Sequence, residues 1–225
     1  MKPLGEEHLA LFRRHMVEIV DMHVELASEE IGKAALDPRV RTALLRVQRH
    51  LFVPAQLALA AYQDTPLPIG FDKTVSQPFI AALMLDLLDI EAGDRVLDVG
   101  TGLGYQAALL AEMGAELFSV EIVEEFAAEA TMRLRAFGYG DVQIRTGDGS
   151  RGWSDHAPFD KILVSAAAPA PPQALIDQLR PGGRLVMPLG GKDVQQLSLL
   201  EKKLDGAVAT RAVLPVRFTQ LETAA

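Results

Sequence analysis

Cysteine is absent from the 225-residue sequence. Disulfide bonds, thiolate nucleophiles and metal or iron–sulfur centres held by cysteine are therefore excluded. Positive charge is scarce as well, because 22 Lys and Arg residues stand against 30 Asp and Glu residues and give a formal net charge of −8. This balance argues against nucleic acid as a partner, since a nucleic-acid-binding surface is usually basic.

Long hydrophobic runs are also missing. No stretch approaches the roughly 18 consecutive apolar residues of a membrane-spanning helix, and "MKPLGEEHLALFRRHM" at the N-terminus lacks the apolar core of a signal peptide. A cytoplasmic protein without membrane contact is expected. Hydrophobic residues make up 49% and charged residues 23% of the chain, a composition typical of a globular domain with a substantial core.

The first 36 residues are predicted to form a helical extension of a single domain. Between Gly5 and Gly32, apolar residues recur at steps of three and four, the period of an amphipathic helix. Such a helix covers the core of its own domain or docks on a second copy of the chain. A monomer or a weak homodimer is therefore expected.

Residues 37–94 are predicted to form a helical cap. Asp37 and Pro38 are typical of a helix start, and another helix is expected after Thr74. Several prolines within residues 52–70 predict an irregular segment there, because proline interrupts both helices and strands.

Residues 95–225 alternate between short apolar strands and helical segments. The strands "RVLDV", "ELFSV", "VQIR", "KILV" and "RLVMP" predict an α/β class with a mostly parallel sheet, covered by helices on both faces. A helix is expected over residues 172–179, followed by the turn "RPGG". Asp205 and Gly206 form a hairpin signal, so the sheet is expected to end in an antiparallel C-terminal hairpin.

A glycine turn follows the first of these strands. Gly100, Gly102 and Gly104 let backbone amides approach a ligand, and the helix that follows presents its positive dipole end to an anion. Glu121 ends the next strand, where it can accept hydrogen bonds from both hydroxyls of a ribose. This combination predicts adenosine binding; the alternative is a packing turn next to a solvated glutamate.

The third strand and the turn itself narrow the choice of adenosine ligand. Asp148, between Gly147 and Gly149, is placed to accept a hydrogen bond from the adenine amino group, although it could equally be an ordinary turn residue. A pyrophosphate-binding turn would carry its third glycine at position 105, which is Tyr105 here. The pattern therefore favours S-adenosylmethionine over NAD.

Longer motifs resemble one family. The strings "RVQRHLFVP", "PLPIG" and "TVSQPFIAAL" precede the glycine turn, and "GDGSRGW", "APFDKILVSAAAP" and "QLRPGGRLVMPLG" follow it. Over about residues 37–218 the sequence is similar to the protein-L-isoaspartate O-methyltransferase family, with "TVSQP" as the most specific motif. The resemblance implies a Rossmann-like methyltransferase fold, S-adenosylmethionine as cofactor, and isoaspartyl proteins or peptides as partners. It also implies methyl esterification of the free L-isoaspartyl carboxylate, a protein-repair reaction.

The resemblance also assigns site residues, with the cap on the substrate side. Ser76 in "TVSQP" matches the family's active-site serine and is expected to orient the acceptor oxygen. A carboxylate is already ionised at neutral pH, so the reaction requires no general base. Ser76 is alternatively the N-cap of a helix that starts at Pro78. Together with the glycine turn, the expected cofactor contacts are Thr74, Val75, Gln77, Gly100, Thr101, Gly102, Gly104, Glu121, Ile122, Gly147, Asp148 and Gly149, and the expected substrate contacts are Ser76, Ala166, Ala167 and Gln220.

Two departures from the family pattern leave other functions open. The helix before Asp37 starts earlier than is usual, and "TQLE" stands where "VPLT" is usual, so Gln220 and Glu222 could change the preferred acceptor. One alternative is a diverged methyltransferase for another peptide carboxylate or a small molecule. Another is a non-catalytic adenosine-binding module. The histidines show no metal-ligand spacing, so no metal is expected.

Overall fold

The computed structural model describes residues 5–224. In chain order the α-helices are α1 (Glu6–Leu26), α2 (Ser28–Ile31), α3 (Pro38–Arg46), α4 (Pro78–Leu88), α5 (Tyr105–Glu112), α6 (Glu124–Ala136) and α7 (Gln173–Gln178). The strands are β1 (Leu67–Gly70), β2 (Lys73–Val75), β3 (Arg95–Val99), β4 (Glu116–Glu121), β5 (Gln143–Thr146), β6 (Phe159–Val164), β7 (Leu179–Gly190), β8 (Gln195–Lys202) and β9 (Val208–Val216). Short 3₁₀ helices lie at Arg49–Phe52, Ala55–Leu57, Gly149–Arg151 and Ser154–His156.

The main sheet has the predicted α/β architecture. Its strand order is β5-β4-β3-β6-β7-β8-β9, and neighbouring strands from β5 to β7 are parallel. β8 and β9 are antiparallel, as the hairpin signal predicts. The chain order reverses at β3, because β4 and β5 lie on one side of it and β6 on the other. A ligand crevice is expected at the carboxyl ends of the strands at such a reversal.

The central strands are apolar on both faces because both faces of the sheet are covered. Val96 and Leu97 are consecutive residues of β3, so their side chains point to opposite faces; both are fully buried and belong to separate core clusters. Complete burial of such a side chain contributes about 1.5–3 kcal/mol. This packing holds the strand ends in place.

The N-terminal extension packs on the core of its own domain. Met16, Val17 and Val20 on one face of α1 are fully buried in the cluster that includes α4. The helix ends at Leu26 and α2 follows after Ala27, so the predicted single helix has one break. Within residues 5–224, no helix combines the length and the apolar character needed to cross a membrane.

The helix starts of the cap agree with the sequence. Asp37 is the N-cap of α3, and its carboxylate accepts a hydrogen bond from the backbone N–H of Arg39 at 2.7 Å. The hydrogen bonds from Arg39 outweigh the opposing effect of burial and lower the pKa of Asp37 to about 2. The cap is thus an ionised carboxylate at neutral pH.

The prediction of an irregular segment over residues 52–70 is wrong at its C-terminal end. β1 pairs antiparallel with β2 and forms a hairpin. Its two turn residues, Phe71 and Asp72, have φ values of 49° and 55°. Positive φ at both positions is typical of a type I′ turn, whose twist matches that of the two flanking strands. Pro68 is tolerated because both strands of this two-stranded sheet are edge strands. A proline in an edge strand does not interrupt hydrogen bonds between interior strands.

The prediction that "RPGG" forms a turn between the helix of residues 172–179 and the strand "RLVMP" is also wrong. Residues 180–183 lie inside β7, which starts directly after α7. Phe159 of β6 pairs with Leu179, whereas Lys161 pairs with Arg184, so the four residues form an irregularity within the strand. A turn signal in sequence does not distinguish a loop from such a bulge.

Candidate active site

A cleft of about 830 Å³ opens at the carboxyl ends of β3, β4 and β6. The β1–β2 hairpin and residues 219–222 form the walls opposite the sheet. Phe71 at the hairpin tip contacts Phe126 of α6 edge to face, with ring centroids 5.3 Å apart. The cleft therefore lies at the predicted reversal of strand order, beneath a covering hairpin.

The glycine turn forms the floor of the cleft. Gly100 has a φ of 94°, a conformation that L side chains rarely adopt, and a Cβ there would lie 3.5 Å from Cβ of Ser165. Gly104, also at a φ of 94°, is the N-cap residue of α5. The turn thus brings backbone amides and a helix N-terminus to the cleft, an arrangement suited to the carboxylate of an amino-acid ligand.

Glu121 at the end of β4 is held by the same turn. Its Oε2 accepts a hydrogen bond from the backbone N–H of Gly102 at 2.8 Å, and its Oε1 accepts one from Val123 at 2.9 Å. The residue is 5% exposed and lines the cleft. Each carboxylate oxygen keeps a further acceptor site, so the two ribose hydroxyls of a nucleoside fit here.

A buried polar chain supports the turn from below. The hydroxyl of Ser119 donates to Oδ2 of Asp98 at 2.7 Å and lies 2.5 Å from the hydroxyl of Thr101. Burial raises the pKa of Asp98 to about 7; the hydrogen bond from Ser119 opposes this rise and the charge of Glu121 adds to it. Sequence reasoning missed Asp98, although an acidic residue inside the apolar run "VLDV" was a visible signal.

Ser76 lies where the cleft meets a second groove. Thr74, Val75 and Ser76 line the cleft, and Thr74 and Ser76 also line the adjoining groove of about 850 Å³. The other walls of the groove are largely apolar, and Arg217 is its charged residue; the lining includes Pro66, Gln77, Ile80, Arg217 and Phe218. An acceptor in the groove would thus contact Ser76, which also lines the cleft that contains the glycine turn.

The alternative role of Ser76 as an N-cap is wrong. The N-cap residue of α4 is Gln77, which caps no backbone N–H with its side chain. Instead, Asp64 accepts hydrogen bonds from the N–H of Phe79 and from the side-chain amide of Gln77, both at 2.8 Å. A carboxylate from a distant turn therefore replaces the local cap, and the hydroxyl of Ser76 is not used for that purpose.

The structure brings most of the predicted site residues together. The residues that line the cleft are Thr74, Val75, Ser76, Gly100, Thr101, Gly102, Glu121, Ile122, Gly149, Ala166 and Gln220. Gln77 lines the adjoining groove instead. The residues that lie outside both linings are Gly104, Gly147, Asp148 and Ala167.

Asp148 is largely engaged by its own neighbourhood. Its Oδ1 accepts hydrogen bonds from the backbone N–H of Ser150 at 2.9 Å and from the Ser150 hydroxyl at 2.6 Å, and Oδ2 accepts one from Ala224 at 3.1 Å. Burial favours the neutral form, but these hydrogen bonds outweigh it and lower the pKa of Asp148. The contact between Asp148 and adenine stays a prediction.

Sequence reasoning identified the C-terminal wall of the cleft only in part, because it named Gln220 and Glu222 but not Thr219 and Leu221. The backbone N–H of Ala167 donates to Thr219 at 2.8 Å, and that of Leu221 donates to Ala167 at 2.7 Å, so residues 219–221 extend alongside the end of β6. Lys73 of the hairpin forms an ion pair with Glu222 across the mouth of the cleft. Only the unusual "TQLE" ending indicated that this stretch mattered.

Comparison with known proteins places the chain among methyltransferases. The family model described as Protein-L-isoaspartate(D-aspartate) O-methyltransferase (PCMT) matches residues 22–224. A protein of Polaromonas sp. named Protein-L-isoaspartate O-methyltransferase 1 is 50% identical over 98% of this chain and 94% of its own length. A protein of Syntrophobacter fumaroxidans named Protein-L-isoaspartate O-methyltransferase 2 is 51% identical over 93% of this chain and 85% of its own length.

Solved structures agree with the fold. A structure titled protein-L-isoaspartate O-methyltransferase has a TM-score of 0.79 at 26% identity, and covers 92% of this chain, which spans 65% of that longer chain. A Plasmodium falciparum structure of the same family name, in complex with S-adenosyl-L-homocysteine, has a TM-score of 0.73 at 24% identity and covers 84% of this chain. The expected Rossmann-like methyltransferase fold is confirmed. The chain belongs to the protein-L-isoaspartate(D-aspartate) O-methyltransferase family.

Proposed function

We propose that the protein transfers the methyl group of S-adenosylmethionine to the free carboxylate of L-isoaspartyl residues in damaged proteins and peptides. Family membership supports the reaction class. The observation that carries the proposal is the meeting of two sites at Ser76, where the cleft that fits a nucleoside joins the groove open to an acceptor. A module that only binds adenosine would have no use for this junction.

The residues of the cleft fit S-adenosylmethionine, which supplies an electrophilic methyl group on a sulfonium. The amides of the glycine turn and the start of α5 would receive its amino-acid carboxylate. Glu121, fixed by two backbone N–H groups, would bind the ribose hydroxyls. Ile122 and Phe126 supply apolar walls next to it.

The acceptor requires orientation rather than activation. An isoaspartyl carboxyl group has a pKa of about 4, so one oxygen can attack the methyl carbon directly while the sulfur–carbon bond breaks. No proton moves in this step. We assign Ser76 the task of donating a hydrogen bond that orients the acceptor carboxylate in line with the methyl group. Ala166 and Gln220, which line the same cleft, are assigned to the acceptor as well.

The groove suits a peptide. Pro66, Ile80 and Phe218 offer apolar contacts to side chains next to the isoaspartate, and the exposed guanidinium of Arg217 offers a cation. The chain as a whole carries a net charge of −8, which repels an anionic acceptor. The positive charge of Arg217 opposes this repulsion at the groove and so favours the approach of the acceptor.

Radiolabelled methyl transfer to an isoaspartyl peptide, with its aspartyl twin as control, tests the proposal. We expect transfer to the isoaspartyl peptide alone. Ser76→Ala should lower kcat by roughly 10–100-fold, because a hydrogen bond to a charged group contributes about 1.5–3 kcal/mol, and leave cofactor binding unchanged. Ser154→Ala, a change at an exposed serine outside the cleft, should behave as wild type. Equal transfer to both peptides, or to neither, would contradict the proposal.

We further propose that the protein acts as a single domain, in the cytoplasm, as a monomer or weak homodimer. Within residues 5–224, the N-terminal extension up to residue 36, the cap of residues 37–94 and the core from residue 95 onward share one hydrophobic cluster, which supports a single cooperative unit. The proposed bounds of the three parts are residues 1–36, 37–94 and 95–225. Met16, Val17 and Val20 of α1 are buried in this cluster, which supports the monomer. Leu11, Met22 and Leu26 of the same helix are exposed, which supports a weak homodimer. Sedimentation equilibrium at increasing concentration and cell fractionation test these points.

A further inference from the structure

Arg49 is a buried cation next to the candidate active site. It lies in the first 3₁₀ helix of the cap and is completely buried. Its Nε donates a hydrogen bond to the carbonyl of Ala61 and its Nη2 donates one to the carbonyl of Ser76, both at 2.8 Å. Among residues 5–224, no carboxylate forms an ion pair with it. Burial lowers the pKa of Arg49, yet an arginine keeps its charge in proteins.

Burial of this charge has a cost that the surroundings offset in part, because Nη1 of Arg49 has no hydrogen-bond partner within residues 5–224. Desolvation of a guanidinium costs several kcal/mol, and hydrogen bonds that involve a charged donor are stronger than neutral ones. The guanidinium also lies over the ring of Tyr105, with its carbon 4.7 Å from the ring centroid, where a cation–π attraction adds to the compensation. One of the two hydrogen bonds that stabilise this cation ends on the backbone of Ser76 itself.

The residues after Ser76 are fixed by a buried charge of the opposite sign. Asp64, whose side chain is 5% exposed, binds Gln77 and the N–H of Phe79, and it lies 2.7 Å from Nδ1 of His23. Ser76 therefore sits between an arginine that binds its carbonyl and an aspartate that binds the next turn. Two buried charged groups define its backbone position on both sides.

The contact with Tyr105 connects this arrangement to the cofactor cleft. Tyr105 is the first residue of α5, directly after the glycine turn, and it lines the cleft together with Ser76. The guanidinium of Arg49 contacts the Tyr105 ring and the Ser76 carbonyl at once. It thereby links the serine that orients the acceptor to the floor that holds the methyl donor.

We propose that Arg49 is a positioning residue, which sets the distance and direction of the Ser76 hydroxyl relative to the methyl donor. This inference rests on the proposed function. Methyl transfer is sensitive to such placement, because a displacement of about 1 Å can cost on the order of 100-fold in rate. A lysine in its place keeps the charge but lacks the planar fork that reaches Ala61 and Ser76 together.

The test compares Arg49→Lys with a matched control, Arg133→Lys. Arg133 also donates to backbone carbonyls of the cap, those of Leu51 and Val53, but makes no contact with Ser76. We expect Arg49→Lys to lower kcat by roughly 10–100-fold, with the KM for the isoaspartyl peptide and the cofactor Kd within about twofold of wild type. Arg133→Lys should leave kcat unchanged.

A double-mutant cycle with Ser76→Ala provides a readout that a purely structural role would not change. If Arg49 acts through the serine hydroxyl, Arg49→Lys has little further effect on kcat once that hydroxyl is removed. Losses that multiply in the double variant would overturn the proposal. So would wild-type kcat in Arg49→Lys, or a parallel loss of kcat and cofactor affinity.

Folding and function are separated by further controls. If Arg49→Lys does not fold, the test is repeated with Arg49→Gln, which keeps an N–H donor. The same result is expected for this variant: a lower kcat with an unchanged cofactor Kd. Failure of both variants to fold would assign Arg49 to general stability and overturn the positioning role. If the wild-type protein does not methylate the isoaspartyl peptide, the proposed function itself fails. If the wild-type protein methylates that peptide selectively and Arg49→Lys has the same kcat, only the Arg49 proposal is refuted.

Discussion

Replacement of Asp98 by asparagine should change how the free energy of unfolding depends on pH. Asp98 is completely buried under the glycine turn and accepts a hydrogen bond from Ser119. Its burial raises the pKa from 3.8 to about 7. A carboxyl group whose pKa is raised in the folded state stabilises the fold fully below its unfolded pKa, and this contribution is lost as pH rises through the folded pKa.

The expected loss follows from the two pKa values. Between pH 3.8 and about 7 the folded chain holds one proton on Asp98 that the unfolded chain has released. Each pH unit in this interval costs about 1.4 kcal/mol, so the whole interval costs about 4 kcal/mol. The asparagine of the variant does not ionise. The free energy of unfolding of wild type minus that of Asp98→Asn should therefore fall by up to this amount between pH 4 and pH 7. Above pH 7 this difference should stay constant.

Urea denaturation of both proteins at pH 4, 5, 6, 7 and 8 measures this difference, and the contributions of titrating groups that do not interact with Asp98 cancel. The hydrogen bond from Ser119 lowers the pKa of Asp98, so Ser119→Ala should move the transition to higher pH. A difference that is constant across the range would refute the reasoning, because it would mean that Asp98 is ionised in the folded protein throughout.

Three further predictions concern the cofactor, the acceptor and the cap. Glu121→Gln should weaken cofactor binding by roughly 10–100-fold in calorimetry, because it loses charge-assisted hydrogen bonds to the ribose; an unchanged Kd would contradict this role. Arg217→Glu should raise KM about fivefold for an isoaspartyl peptide with an acidic neighbour, and less for one with a lysine neighbour; equal changes would exclude a charge effect. Asp37→Ala should cost about 1 kcal/mol in urea denaturation at pH 7. Because hydrogen bonds from Arg39 lower the pKa of Asp37 to about 2, that difference should shrink as pH falls from 4 to 2; persistence at pH 2 would contradict it.

The parts of the fold that sequence predicts are those fixed by local pattern. β3, β4 and β6 are rich in apolar residues because both faces of the sheet are covered, and such stretches are visible without any structure. The glycine turn and Glu121 follow directly from the ends of two of these strands. Most of the cofactor cleft was therefore predictable from residues close in sequence.

Features that depend on distant residues were not predictable. The local pattern "SQP" favoured Ser76 as the cap of α4, but Asp64, 15 residues before Phe79, supplies the carboxylate. The burial of Arg49 depends on packing of the cap against α5, which no local rule describes. The proline-rich stretch over residues 52–70 indicated an irregular segment. The hairpin tolerates Pro68 because, within residues 5–224, β1 pairs with β2 alone, so the other edge of β1 forms no strand pairing that a proline would interrupt.

The ion pair of Lys73 with Glu222 joins residues 149 positions apart in the chain, and this separation affects how the protein acquires activity. A cleft whose two walls are so distant in sequence is complete only where the whole fold brings Lys73 and Glu222 together. A methyl donor that contacts both walls therefore binds the folded chain in preference to the unfolded chain, and by mass action it raises the free energy of unfolding. The enzyme is thus stabilised against unfolding by the same metabolite that it consumes.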